Sequence, residues 1–265
     1  MNSELYDMIF KRKSFHIFRN LEEEVISEEE LADICKVWES FDALYPEIKT
    51  AIRIIPGSDT NCRRGEEYCI LFYSEKKDGY LQNIGYLGEQ MDLWLVSKNI
   101  GTLWFGIGKM EDNPFEGMEF VIMMAIRKVS DRSKYRKEML KSKRKPAGAI
   151  WEGEPIEGVT DVVMYTPSSC NLQPWIVKCS DDVSGEGADR DGGSRRELRV
   201  YRYKEPGKRG IIPAGKVSRS NMIDIGIFLC FLDLCLAHQR IGFEREKVYD
   251  DGSDEELHLN AVYKL

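Results

Sequence analysis

The densest run of chemistry-bearing residues is Thr166-Pro167-Ser168-Ser169-Cys170-Asn171-Leu172-Gln173-Pro174-Trp175. Pro167 and Pro174 bracket a rigid loop that ends the preceding helical stretch. Between them Ser168, Ser169, Asn171 and Gln173 supply hydroxyls and amides, groups able to hydrogen-bond the uncharged edges of a heterocycle. The same residue types are also ordinary helix-exit residues, so the loop alone allows a binding or a purely structural role. Near the N terminus, Lys11-Arg12-Lys13-Ser14-Phe15-His16-Ile17-Phe18 joins cations to a hydroxyl. Lys143-Arg144-Lys145-Pro146 is a second basic cluster, of a kind that also serves as a solvated connector. Finally, Asn99-Ile100-Gly101-Thr102-Leu103-Trp104-Phe105-Gly106-Ile107-Gly108 is a glycine-rich passage, by itself a weak sign of any site.

Acid–base and nucleophilic machinery is not evident. His16, His238 and His258 form no triad or metal spacing with nearby Cys or Asp, and Cys170 reads equally as a buried or a reactive thiol. The seven cysteines are odd in number and lack paired metal-ligand spacing, so no metal is expected. Net charge is −7, from 38 Lys plus Arg against 45 Asp plus Glu, which disfavours general nucleic-acid binding. The first twelve residues have no basic start followed by an apolar core, and free thiols suit a reducing compartment, so a cytoplasmic location is expected. The longest apolar run, 223–237, is broken by Asp224 and Asp233, which argues against a membrane span.

The elements that must position these groups come in two similar series. Ser27-Glu-Glu-Glu30 predicts a capping box and a helix through about Phe41, with Leu31, Ile34, Cys35 and Trp38 on one face. Strands follow over 51–55 and 68–73, then a helix over 81–99 with a positive-φ residue expected at Gly101, and a strand over 120–126. After the basic stretch 127–145 the order returns: a helix from Glu154 to about Tyr165, strands over 175–179 and 198–203, a helix over 221–240 and a strand over 256–263. The Gly-, Asp- and Ser-rich loop 181–196 is expected to be mobile. At an offset of 141, Asn83-Ile84-Gly85 falls on Asp224-Ile225-Gly226, Asp92-Leu93 on Asp233-Leu234, Leu95 on Leu236, and Ile100-Gly101 on Ile241-Gly242, so that seven of nineteen positions agree without a gap. Internal duplication follows: halves 1–145 and 146–265 packed as one globular unit, each with a mostly antiparallel central sheet flanked by helices, an α+β fold with a pseudo-twofold axis. The two apolar helices are expected to meet at its centre. Such a chain is a monomeric pseudo-dimer, with further dimerisation open.

Pro-Ser-x-x-Asn-x-Gln-Pro-Trp leading into a strand resembles the segment by which nitroreductase-like flavoproteins contact the FMN ring system. Pro167, Ser168, Ser169, Asn171 and Gln173 lie on it. The N-terminal run resembles the family's opening Arg-Arg-Ser-x-Arg-x-Phe, which holds the FMN phosphate and ribityl chain; Arg12, Lys13 and Ser14 match, while His16 stands where Arg or Lys is usual. Lys143-Arg144-Lys145-Pro146 is similar to a closing basic pair before Pro, assigning Arg144 to the phosphate. The 99–108 segment is similar to a helix-to-loop passage Gly-Leu-Gly-Thr-x-Trp-x-Gly, which puts Phe105, Gly106, Ile107 and Gly108 beside the flavin. The resemblance is to a divergent branch with fused halves. It implies one composite site, with Arg12, Lys13, Ser14, the Gly106 loop and Arg144 from the first half and Ser168, Asn171 and Gln173 from the second. The implied activity is FMN-dependent oxidation of NADH or NADPH by ping-pong transfer to a small-molecule electron acceptor, a nitroaromatic or quinone, with no catalytic side chain. A flavin- or small-ligand-binding sensor or storage protein on the same fold is the alternative, and a structural or partner-binding protein the third reading.

Overall fold

Ser27 caps its helix through the predicted reciprocal pair. In the computed structural model of the chain its hydroxyl accepts from the Glu30 amide at 3.2 Å, and the Glu30 carboxylate accepts from the Ser27 amide at 3.0 Å, starting α2 (Glu28–Trp38). The structure describes residues 4–21, 23–110, 114–139, 143–182, 195–203, 212, 214–248 and 256–265. Two compact units divide the chain, Met1–Ser142 and Lys143–Leu265.

In the first unit, α1 (Glu4–Lys11) and α2 are followed by β1 (Thr50–Pro56), β2 (Tyr68–Ser74), α3 (Tyr80–Ser97), β3 (Ile100–Phe105) and β4 (Glu119–Lys128). The sheet order is β1-β2-β4-β3 with every pair antiparallel. Strand β2 is a continuous apolar run, Cys69-Ile70-Leu71-Phe72-Tyr73, and all five are buried, as a strand covered on both faces requires.

The second unit holds β5 (Trp151–Glu152), α4 (Thr160–Val163), β6 (Trp175–Asp182), β7 (Arg195–Tyr203), α5 (Val217–His238), β8 (Glu244–Lys247) and β9 (Leu257–Lys264). Its sheet runs β5-β6-β7-β9-β8, with the short β5 parallel to β6 and the rest antiparallel. Without β5 the order is that of the first unit, strand for strand. Each second strand also slips register once, at Phe72/Tyr73 and at Val200/Tyr201.

The helix exits repeat at atomic detail. The Lys98 amide reaches the Trp94 carbonyl at 3.3 Å, and the Gln239 amide reaches Cys235 at 3.0 Å, both partners displaced by the same 141 positions. The next residue is left-handed in each unit, Asn99 (φ 57) and Arg240 (φ 59). The left-handed position therefore falls on Asn99, not Gly101. Gly101 lies inside β3, and its missing side chain answers a packing need instead: a Cβ there would come within 2.7 Å of Val129 and 2.9 Å of the Phe15 ring. Gly101→Ala is expected to destabilise the protein by about 1–3 kcal/mol through overpacking, read as a lowered urea midpoint; an unchanged midpoint would mean that the Phe15 ring yields freely.

Other expectations shift. The 99–108 segment is mainly strand rather than a helix-to-loop passage, and the helix expected from Glu154 is one turn, α4. The sequence patterns also do not announce α1, β5 or β8. In the 181–196 segment, Asp181 and Asp182 pair with Arg196 and Arg195 as the ends of β6 and β7, and its remainder, 183–194, lies outside the described residues. Helix α5 is long and apolar enough to cross a bilayer, yet 89% of its most apolar window is buried in protein. Its two acids are satisfied there: Asp224 by Ser169, and Asp233 by Arg245 and by the Tyr263 hydroxyl at 2.6 Å. These are the features of a core helix.

Candidate functional site

The 167–175 loop begins where α4 stops, with the Thr166 hydroxyl donating to the Val163 carbonyl at 2.7 Å. Cys170 (φ 50), Asn171 (φ 56) and Gln173 (φ 49) are all left-handed, a conformation costing on the order of 1 kcal/mol for each L-residue. Strain of this kind persists only where surrounding bonds over-determine the backbone, and here they do. The Gln173 amide donates to the Ser168 hydroxyl at 2.9 Å. The Ser169 amide donates to both Asp224 oxygens at 3.0 and 3.1 Å, and its hydroxyl adds a third bond at 3.2 Å. The basic strap also grips the loop: Arg144 donates to Asn171 Oδ1, and Asn171 Nδ2 in turn donates to the Lys143 carbonyl at 2.6 Å. The Lys145 amide donates to the Gln173 side chain at 3.0 Å and its ammonium to the Gln173 carbonyl at 2.9 Å. Trp175 then enters β6 fully buried, stacked on Phe228 at 4.9 Å.

Arg144 thus belongs with the second unit, where it meets Asn171, rather than with the first. Two predicted motifs form one cluster of guanidinium, ammonium, hydroxyls and amides. The Asn171 and Gln173 amides brace that cluster from within, while Asn171 and Cys170 remain exposed. Beneath it lies Asp224, with no cationic partner among the described residues. Burial pushes its carboxyl up to about 7, against the opposing pull of the Ser169 donors. Burial also lowers the Lys145 ammonium below its ordinary value.

Arg12, in the first unit, is 3% exposed. Its Nε donates to Asp92 Oδ2 at 2.8 Å and lies 3.5 Å from Glu89 Oε1. Asp92 also accepts from the Thr102 hydroxyl at 2.6 Å and from Trp104 Nε1 at 3.0 Å. Burial opposes the guanidinium charge, but Asp92 and Glu89 outweigh it and raise its pKa. In the second unit the duplicated Asp233 is gripped by Arg245, which stands at the position matching Trp104. Ser14 accepts from Arg12 at 3.4 Å and bridges to Thr102. Lys13 is exposed and reaches the Lys134 carbonyl at 2.9 Å, and His16 is exposed. Phe105 packs in the sheet core. Gly106 faces open space, Ile107 is 49% exposed, and a Cβ at Gly108 would lie 2.6 Å from Met123.

Sequence reasoning gave no site role to Asp224, Asp92 or Glu89. The available signal was an unexplained acid within each nearly all-apolar helix, at sites that should cost energy unless satisfied.

Residues 4–236 match the family model described as "Putative TM nitroreductase". A structure described as a putative nitroreductase from Thermotoga maritima is similar over 100% of this chain and 93% of that one, at 20% identity and a TM-score of 0.57. A putative nitroreductase in complex with FMN from Desulfovibrio desulfuricans is matched over 59% of this chain and 99% of that one, at 15% identity and a TM-score of 0.43. A nitroreductase with bound FMN from Desulfitobacterium hafniense is matched over 55% and 100%, at 13% identity and 0.38. No curated protein matches the chain. The Thermotoga likeness shows the fold to be nitroreductase-like, and the family match spans nearly the whole sequence: the chain belongs to the nitroreductase family that this model describes.

Proposed function

We propose that the protein is an FMN-dependent oxidoreductase whose cofactor is held at the 167–175 loop of the second unit. Family membership supports the reading, and the observation that carries it is the strained, cation-strapped loop. A flavin mononucleotide presents a dianionic phosphate and an amide-edged ring; the cluster offers Arg144 and Lys145 as cations beside the Ser168 hydroxyl and the exposed Asn171 amide. The donor set therefore fits the group. Bound FMN would supply two-electron chemistry, taking a hydride from NADH or NADPH and passing electrons to a nitroaromatic or quinone-like acceptor. The chain's own part is to bind and orient. Asp224 fixes the loop through Ser169, Gln173 locks the turn onto Lys145, and Arg144 holds Asn171 in its left-handed conformation while adding positive charge.

Purified protein should be yellow, with flavin absorbance bands, and should release FMN on denaturation. Arg144→Ala should weaken FMN retention about tenfold or more, the worth of one charge-assisted hydrogen bond. Lys76→Ala, at a 67% exposed side chain, should not. Lys13→Ala in parallel reads whether the N-terminal motif contributes. Colourless protein that takes up no added FMN defeats the proposal. A flavin-binding protein without turnover is the second reading, favoured by His16 in place of a longer cation. Steady NAD(P)H oxidation with a quinone excludes it.

A further inference from the structure

Cys62, Glu66 and Cys69 are drawn together by a loop that leaves β1 and returns as β2. Their ligand atoms all lie within 4.8 Å of one another. Both sulfurs belong to fully buried residues, each 0% exposed, in the core lined by Phe18, Leu103 and Ala125. Cys69 is fixed by the sheet, opposite Ile55 on one side and Ala125 on the other. Cys62 is fixed by the loop: its amide donates to the Thr60 hydroxyl at 3.0 Å, and Arg63 draws in the Thr60 and Cys62 carbonyls. That same Thr60 oxygen lies 3.7 Å from Cys69 Sγ. Glu66 is only half-buried, yet its carboxylate turns onto the thiols, anchored by the Arg64 amide at 2.7 Å.

A carboxylate aimed at two apolar-walled thiols raises the cost of ionising either one. Burial first, then Glu66, pushes the Cys62 thiol up to about 12, and burial pushes Cys69 up to about 11. A divalent cation inverts that balance, since it is what two thiolates and a carboxylate are jointly suited to neutralise. Tetrahedral zinc bonds of about 2.0–2.3 Å place such donors about 3.5–3.8 Å apart, inside the observed limit. The spacing, three residues and then two, escapes the usual paired-cysteine pattern.

We propose that Cys62, Glu66 and Cys69 form a binding site for one thiophilic divalent cation of the zinc class. The Thr60 hydroxyl or a water takes the fourth position. Binding deprotonates both thiols, forms two metal–sulfur bonds and two metal–oxygen bonds in place of waters of the hydrated ion, and releases two protons to solvent. Affinity should therefore rise about 100-fold per pH unit near neutrality.

Cobalt(II) is the probe. The full chain, reduced and stripped with chelator, should take up one cobalt per chain with a thiolate-to-metal charge-transfer band, release two protons per ion, and lose the band on adding zinc. Cys62→Ser should lose the band, and Cys35→Ser and Cys170→Ser, at exposed thiols, should keep it. Glu66→Gln spares both buried thiols, so its fold should survive; it should melt like the parent without metal and lose the zinc-induced rise in melting temperature. No charge-transfer band at millimolar cobalt, loss of the band in the exposed-cysteine variants, or parent-like zinc binding by Glu66→Gln would each overturn the site.

Discussion

Arg12→Ala is expected to lower the unfolding free energy of cofactor-free protein by about 3–5 kcal/mol, the cost of removing one member of a buried ion pair. Asp92 and Glu89 are both fully buried, and Arg12 is their common cation. Without it two carboxylates share the core with Thr102 and Trp104 as neutral donors and no guanidinium between them. Lys13→Ala, at an exposed neighbour, should fall within about 0.5 kcal/mol of the parent. Urea titrations of both variants, stripped of flavin, make the comparison. An Arg12→Ala variant of parent stability that fails only in FMN retention would reassign the guanidinium to a ligand phosphate. The expected reverse makes Arg12 the N-terminal anchor of the first unit, joining the end of α1 to α3 and β3.

That outcome marks the boundary of what the sequence makes legible. A capping box needs four consecutive residues, and β2 needs one unbroken apolar run, so both are readable locally. The duplication is readable too, because a fixed offset relates positions that both halves must satisfy in the same way, down to the left-handed Asn99 and Arg240. Strand β8 is not: Glu244-Arg245-Glu246-Lys247 is a short charged edge strand with no apolar alternation, the composition by which edges resist further pairing. Strand β3 hides behind its glycine, which sequence reasoning assigns to a turn although it answers the pressure of Phe15 and Val129. The partner of a guanidinium is illegible in principle. Arg12 suits a phosphate as well as it suits a carboxylate eighty residues away, and only the fold chooses. The amides of Asn171 and Gln173 show the same ambiguity, as residue types suited to a ligand that also brace their own loop. Cys62, Glu66 and Cys69 meet only because the loop after β1 folds back on β2.

Between about pH 4 and 7, Asp224→Asn should remove a decline in stability that the parent shows. Exposed in the unfolded chain, the Asp224 carboxyl titrates near its ordinary 3.8; in the native state burial pushes it up to about 7. Across that interval the folded protein holds a proton that the unfolded chain has lost. The resulting stability is complete below the lower value, falls as pH rises through the interval, and is level above it. Three pH units at about 1.4 kcal/mol each bring the cost of the ionised form to about 4 kcal/mol. Asparagine stays neutral throughout and still accepts from the Ser169 amide. The repeat already contains that solution: Asn83, at the matching position, accepts from the Tyr45 amide at 2.9 Å and donates to its carbonyl at 3.2 Å. Other carboxylates, such as Glu30 held low by Lys128 and Ser27 against its own desolvation, add a trend of the opposite sign, so the quantity to measure is the variant-minus-parent difference. It should grow by a few kcal/mol from pH 4 to pH 8 in favour of Asp224→Asn, and parallel profiles would place the native carboxyl near its ordinary value. The Asp224 carboxyl lies directly under Ser169, so FMN retention that changes over the same window in the parent, and not in the variant, would tie the loop to its proposed cofactor independently of Arg144.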